Sequence, residues 1–213
     1  MVRHSHQDAL NERQYQRLLD AVDDVKPKFR QECRFALVAL GRLGLRAGEL
    51  THLREEWIDW DRSLIHIPMH EDCSCGYCRA RAKEEAETND STIEEMMTQR
   101  WHPKTHHASR AVPFDFDDEV HDVVTGFFFH HDGWPASRVA VNRRVSRAAD
   151  AAGVDVYPHA LRATAATLHA YRGVPAVALQ SMMGWADLNT AQKYLRLSGG
   201  ATQNALNDAY STQ

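Results

Sequence analysis

The run from His159 to Tyr194, HALRATAATLHAYRGVPAVALQSMMGWADLNTAQKY, sets a histidine, an arginine, an indole and a phenol in fixed order. His159 and Arg162 stand three apart, so a helix starting near His159 presents both on one face, where one oxyanion can touch both. Arginine offers a planar fork of donors that stays protonated, and imidazole titrates near neutrality. The Trp185 indole N–H donates a hydrogen bond but transfers no proton, and the Tyr194 hydroxyl can serve as a nucleophile. Together these groups suit a phosphodiester transesterification, in which the charge of a pentavalent phosphorane is neutralised without a metal.

An HxxR pair alone is common in helical proteins, so its meaning depends on what accompanies it. Gly41 to Leu50, GRLGLRAGEL, adds a second arginine, Arg46, with Glu49 three residues on. Pro103-Lys104-Thr105, followed by Ser109-Arg110-Ala111-Val112-Pro113, adds a lysine ahead of a short strand. In this order the blocks resemble the catalytic domain of tyrosine recombinases, the phage integrase family, from about Leu10 to about Leu197.

The resemblance implies a site-specific recombinase that cuts and rejoins DNA through a covalent 3′-phosphotyrosine. Arg46 and Arg162 match the two clamp arginines, His159 the histidine ahead of the second, and Tyr194, ten residues past Gly184, the nucleophile. Lys104 matches the lysine that protonates the departing 5′ oxygen. Trp185 stands where most of the family has a second histidine and a minority has tryptophan, which leaves phosphate stabilisation and removes an optional acid. A buried core aromatic is the structural alternative there, and both can hold at once. Glu49 would orient Arg46 or support its helix start.

The 213 residues, 43% of them hydrophobic, suffice for a buried core without staples. No apolar run approaches the ~20 residues of a membrane span, and the start, Met1 to His6, lacks a signal peptide's apolar stretch, so a cytoplasmic protein is expected. A net charge of −4 argues mildly against nucleic-acid binding, yet it hides distribution. Arg138, Arg143, Arg144 and Arg147 cluster in one expected helix and, with Arg110, are the candidate DNA contacts, while acids gather at Glu84–Glu87 and Asp115–Glu119. An ordinary solvated helix face is the alternative for any one of these arginines. Lysines are few beside abundant arginines and acids, a bias that would suit a high-salt cytoplasm.

Hydrophobic periodicity and turn signals predict helices over Leu10–Val25, with Asn11 as cap, then Lys28–Leu43 and Glu49–Leu53. Further helices are expected over Asp117–Phe129, Ser137–Ala152, His159–Arg172, Val174–Met183 and Leu188–Leu197. Trp57–Trp60, Leu64–Ile67 and Ala111–Phe114 read as three strands. The fold class is therefore α+β, mainly α-helical with a small three-stranded antiparallel sheet, the catalytic core of a tyrosine recombinase. One catalytic domain over residues 1–213 is expected, with the N-terminal core-binding domain of such enzymes absent and residues 198–213 as a C-terminal tail. Tetramers on two duplexes of DNA are implied by the resemblance, which also makes the tail the segment exchanged between subunits.

Residues 68–101 form an insertion that the family pattern does not predict. It carries Cys73, Cys75 and Cys78, leaving only Cys33 elsewhere. In a cytoplasmic protein a compact cluster points to metal more than to disulfide. Structural zinc needs four ligands, and His70 is the candidate fourth, with His66, His102, His106 and His107 as competitors. The CxCxxC spacing lacks the strength of paired CxxC motifs, so reduced thiols, a redox pair or a plain loop stay open. No cofactor is expected for catalysis. Two further readings are a non-catalytic DNA-binding relative that regulates recombination and a zinc-stabilised interaction module.

Overall fold

Helix α2, Pro27–Gly41, is the centre of the fold, because its stretch from Phe35 to Gly41 is buried on every side. The structure, a computed structural model, describes residues 7–98, 100–103 and 106–211. Around α2 pack α1 (Glu12–Asp20), α6 (Asp118–Phe128), α7 (Arg138–Ala152) and α8 (Pro158–Tyr171). Asn11 and Gln14 close a reciprocal cap on α1, each side chain accepting the other's main-chain N–H at 2.9 Å. The expected single opening helix is shorter: past Asp20 it tightens to a 3-10 turn over Ala21–Asp24, which keeps Ala21 and Val22 buried.

Three strands form the expected antiparallel sheet in the order β1 (Ile58–Asp59), β2 (Leu64–Ile67), β3 (Arg110–Pro113). Ile65 pairs with Ile58 on one side and Val112 on the other, and all three face the core. A short helix, α3 (Ala47–His52), precedes the sheet. Between β2 and β3 the insertion folds as a helical pair, α4 (Gly76–Asn89) and α5 (Ile93–Met97), packed on each other.

A second, smaller apolar cluster joins α8 to α9 (Ala176–Met183) and α10 (Leu188–Ser198) through Ala166, Ala170, Leu179, Met183 and Ala191. The expected tail is a helix over most of its length: α11 (Gly200–Ser211) packs against α8 and α10, and the Tyr171 hydroxyl donates to Gln203 at 3.0 Å. Met1–His6 and the last two residues lie outside the described residues. Among the described residues no helix is long and apolar enough to cross a membrane.

Candidate active site

Glu49 is the hub on which the arginines converge. Arg46 caps the N-terminus of α3; its main-chain N–H donates to Glu49 Oε2 at 2.8 Å and its Nη1 to Oε1 at 2.7 Å. From β3, Arg110 donates a bidentate fork to the same carboxylate, at 3.0 and 2.9 Å. Glu49 is 1% exposed. Burial alone would raise its carboxyl, but the charge and hydrogen bonds of Arg110, then the charges of Arg162 and Arg46, outweigh it and hold the group at about 2.

Arg162, in the second turn of α8, donates to the carbonyls of Gly44 and Met183. Burial pulls its guanidinium down, to about 9, against the opposing charge of Glu49, so it remains a cation at neutral pH. Arg46 in turn donates to the carbonyl of Gly184 at 2.9 Å. Gly44 and Gly184 both hold left-handed backbone, φ +64° and +59°, where a side chain is strained. Arg162 is thus anchored on the glycine turn before α3 and Arg46 on the glycine turn that ends α9, which cross-ties α3, α8 and the end of α9.

Arg46, His159 and Arg162 line one cleft of about 1120 Å³. Its other walls come from Arg138, Asn142 and Ser146 of α7 and from Tyr77, Arg81 and Glu85 of the inserted α4. Arg100, Trp101 and His102, which follow α5, complete that side. Trp185 and Tyr194 lie outside this lining, on the turn after α9 and on α10, with their rings stacked at 5.2 Å and 9°. Tyr194 is partly buried; burial raises its hydroxyl's pKa and the nearby charge of Arg162 lowers it. Lys104 lies outside the described residues.

The arginines expected to form one DNA-facing set divide. Arg138 is exposed, lines the cleft and lies over the Tyr77 ring at 4.9 Å, and Arg143 is exposed. Arg144 is buried instead, pairing with Glu32 at 2.8 Å and lying over Phe29 at 4.2 Å, and Arg147 covers the same ring at 3.9 Å. The helical period is the reason: residues 138 and 142 share the cleft face, whereas 144 and 147, three apart, turn towards α2. Arg110 is also withdrawn from the surface, its side chain 4% exposed in the pair with Glu49.

The three insertion cysteines do converge, but on a different histidine. Donor atoms of His52, Cys73, Cys75 and Cys78 all lie within 4.8 Å of one another. His70, the expected fourth group, is not in this set; its Nε2 lies 3.1 Å from the Thr98 carbonyl. His102 is also elsewhere, with its Nδ1 3.0 Å from the Pro103 carbonyl. His52 ends α3, six residues after Arg46, and only the packing of the insertion against α3 brings it to the cysteines. The sequence signal is weak, a histidine at the C-terminus of a short helix, and it lies 21 residues before Cys73, on the far side of the β1–β2 hairpin.

A 55-residue stretch is 40% identical to tyrosine recombinase XerA of Saccharolobus solfataricus, covering 26% of this chain and 19% of that protein. The fold is similar to a crystal structure of XerA recombinase, with TM-score 0.64 and 18% identity over 94% of this chain and 64% of that one. It is also similar to the Tn1549 transposon integrase in complex with circular intermediate DNA, with TM-score 0.63 and 20% identity over 87% of this chain and 61% of that one. A third likeness is to XerH recombinase in a post-cleavage complex with palindromic difH substrate, with TM-score 0.60 and 15% identity over 93% and 52%. The chain therefore spans less than two thirds of each of these relatives. Residues 8–199 match the family model described as the phage integrase family, and the chain belongs to that family.

Proposed function

We propose that the protein is a site-specific DNA recombinase or integrase that cleaves and rejoins strands through a covalent 3′-phosphotyrosine at Tyr194. The observation that carries this reading is the convergence of Arg46, His159 and Arg162 on one cleft, with Glu49 buried behind the arginines. Two guanidinium groups whose positions are fixed before substrate arrives stabilise a phosphorane without reorganising at the moment of reaction.

In the proposed reaction the Tyr194 oxygen attacks the phosphorus and the bond to the 5′ oxygen breaks. A phenol raised by burial is un-ionised at neutral pH, so attack needs a base, and His159 accepts that proton. Lys104 protonates the departing 5′ oxygen. Arg46 and Arg162 hold the non-bridging oxygens, and Trp185 donates its indole N–H to the phosphate. A 5′ hydroxyl of the second strand then attacks the phosphotyrosine and releases Tyr194, so the bond energy is retained without ATP. Arg138 and Arg143 supply exposed phosphate contacts. Double-stranded DNA is the proposed partner, with a homo-tetramer as the working assembly and the cytoplasm as its setting. No cofactor takes part in strand transfer, and a metal at the cysteine cluster would be structural zinc.

The test is to trap the covalent complex on nicked suicide duplexes drawn from a selected pool or from sequence flanking the gene. Wild type is expected to form a denaturation-resistant adduct that Tyr194→Phe abolishes and Arg162→Ala reduces by orders of magnitude. Binding without any adduct, or an adduct that survives in Tyr194→Phe, removes Tyr194 as the nucleophile.

A further inference from the structure

The four donor atoms of the insertion site have the dimensions of a tetrahedral metal centre. A zinc ion about 2.3 Å from sulfur and about 2.0 Å from nitrogen sets S···N edges of about 3.5 Å. The Sγ atoms of Cys75 and Cys78 lie 3.5 and 3.3 Å from His52 Nε2, and Cys73 falls within the same 4.8 Å cluster. All three cysteines are free thiols, so no disulfide competes for the sulfurs.

The surroundings prepare three of the donors, His52, Cys73 and Cys75, for a cation. His52 Nδ1 lies 2.7 Å from the Gly48 carbonyl, which can only accept, so Nδ1 carries the proton and the Nε2 lone pair faces the sulfurs. The N–H groups of Cys75 and Cys78 donate to the Sγ atoms of Cys73 and Cys75, each at 3.5 Å, as suits thiolates. Cys75 also caps α4, where the aligned peptide dipoles favour negative charge. Trp101 stacks on the His52 ring at 5.0 Å and Trp57 on Trp101 at 5.4 Å, which shields one side from water.

We propose that His52, Cys73, Cys75 and Cys78 bind one zinc ion, and that this ion fastens the inserted α4 to the helix that begins at Arg46. Three thiolates and a neutral imidazole select a tetrahedral, thiophilic divalent ion, and on binding the three thiol protons pass to solvent. The ion closes the chain between His52 and Cys73. It holds Tyr77, Arg81 and Glu85 of α4 as a wall of the cleft that Arg46 and Arg162 line from the other side. The assignment of the metal goes beyond the strand-transfer reading and stands apart from it, because ligation needs no DNA.

Metal content of the full chain, purified under reducing conditions, tests this directly, with zinc alone as the probe. One zinc per chain is expected, falling to a small fraction in His52→Asn and Cys75→Ser and unchanged in His70→Asn. Cobalt in place of zinc should give the visible bands of a tetrahedral ion together with thiolate charge transfer in the near ultraviolet. Cys75→His guards against a variant that merely fails to fold: it should keep one metal per chain with weaker charge transfer. Chelation should lower the melting temperature of wild type by about 10 °C and leave Cys75→Ser unmoved. The proposal is overturned by a wild type that takes up no stoichiometric zinc or cobalt, or by a His52→Asn chain whose metal content and cobalt spectrum are those of wild type.

Discussion

Replacing Glu49 by glutamine should be among the costliest changes of a single atom in this chain. The carboxyl is held at about 2 against an ordinary 4.5, and it is 1% exposed. At 1.36 kcal/mol per pH unit, the difference is worth about 3 kcal/mol of stability at neutral pH. Removing one partner of a buried ion pair costs about 3–5 kcal/mol by a separate route, because the cations left behind are uncompensated. At roughly 2–4 °C per kcal/mol for a chain of this size, Glu49→Gln should melt about 6–12 °C lower. Because the folded value lies below the unfolded one, this stabilisation is complete above about pH 4.5 and is lost as pH falls towards 2. Urea unfolding of both proteins across that range isolates the group: the gap between them should be constant near neutrality and close progressively on acidification. A gap under about 0.5 kcal/mol at neutral pH, the size of an ordinary surface change, would refute the role given to Glu49.

Other substitutions probe neighbouring parts of the same construction. Gly184→Ala forces a side chain into left-handed backbone and puts its Cβ 2.9 Å from Arg110 Cδ and 3.1 Å from the Ala108 main chain; a loss of about 1–3 kcal/mol is expected by chemical denaturation, and a neutral result would mean the turn relaxes freely. Tyr194→Phe keeps the ring on Trp185, so the covalent adduct should vanish while the melting temperature stays within about 2 °C. Arg138→Ala should weaken DNA binding and reduce its salt dependence by about one counterion, measured by fluorescence anisotropy across salt concentrations. Arg144→Ala should do the opposite, lowering stability by about 1–3 kcal/mol through its lost pair with Glu32 while leaving the salt slope of binding unchanged.

What could be read in advance from the chain, and what could not, follows the range of the interactions. The Asn11 cap of α1 and the three short strands are set by neighbours a few residues apart, and each stands where its local pattern puts it. The spacing from His159 to Tyr194 was readable for the same reason, since it lies within three consecutive helices. The pairing of Arg110 was not legible because its partner Glu49 is 61 residues away, and nothing in a strand sequence tells a phosphate ligand from half of a buried ion pair. Arg144 and Arg147 share a helix with Arg138, but the helix is basic on more than one side, so its pattern did not reveal which side meets α2. His70 stands out in the sequence because it is near the cysteines along the chain, and His52 does not enter that reading at all, whereas ligation depends on proximity in space.

Helix α3 draws these long-range ties into one argument. Six residues are far too few for a helix to be stable alone, so its placement comes from what holds its ends. At the N-terminal end, Glu49 takes the Arg110 fork from the sheet while Arg46 reaches the Gly184 carbonyl beyond α9. At the C-terminal end, His52 meets the three cysteines of the insertion. Between these ends the Gly48 carbonyl contacts His52 Nδ1, so the helix's own backbone fixes the imidazole that faces the insertion. The segment between β2 and β3 is therefore tied to the helix whose N-terminus carries Arg46 into the cleft. Displacing the insertion would strain that helix from one end, just as removing Glu49 would release it at the other.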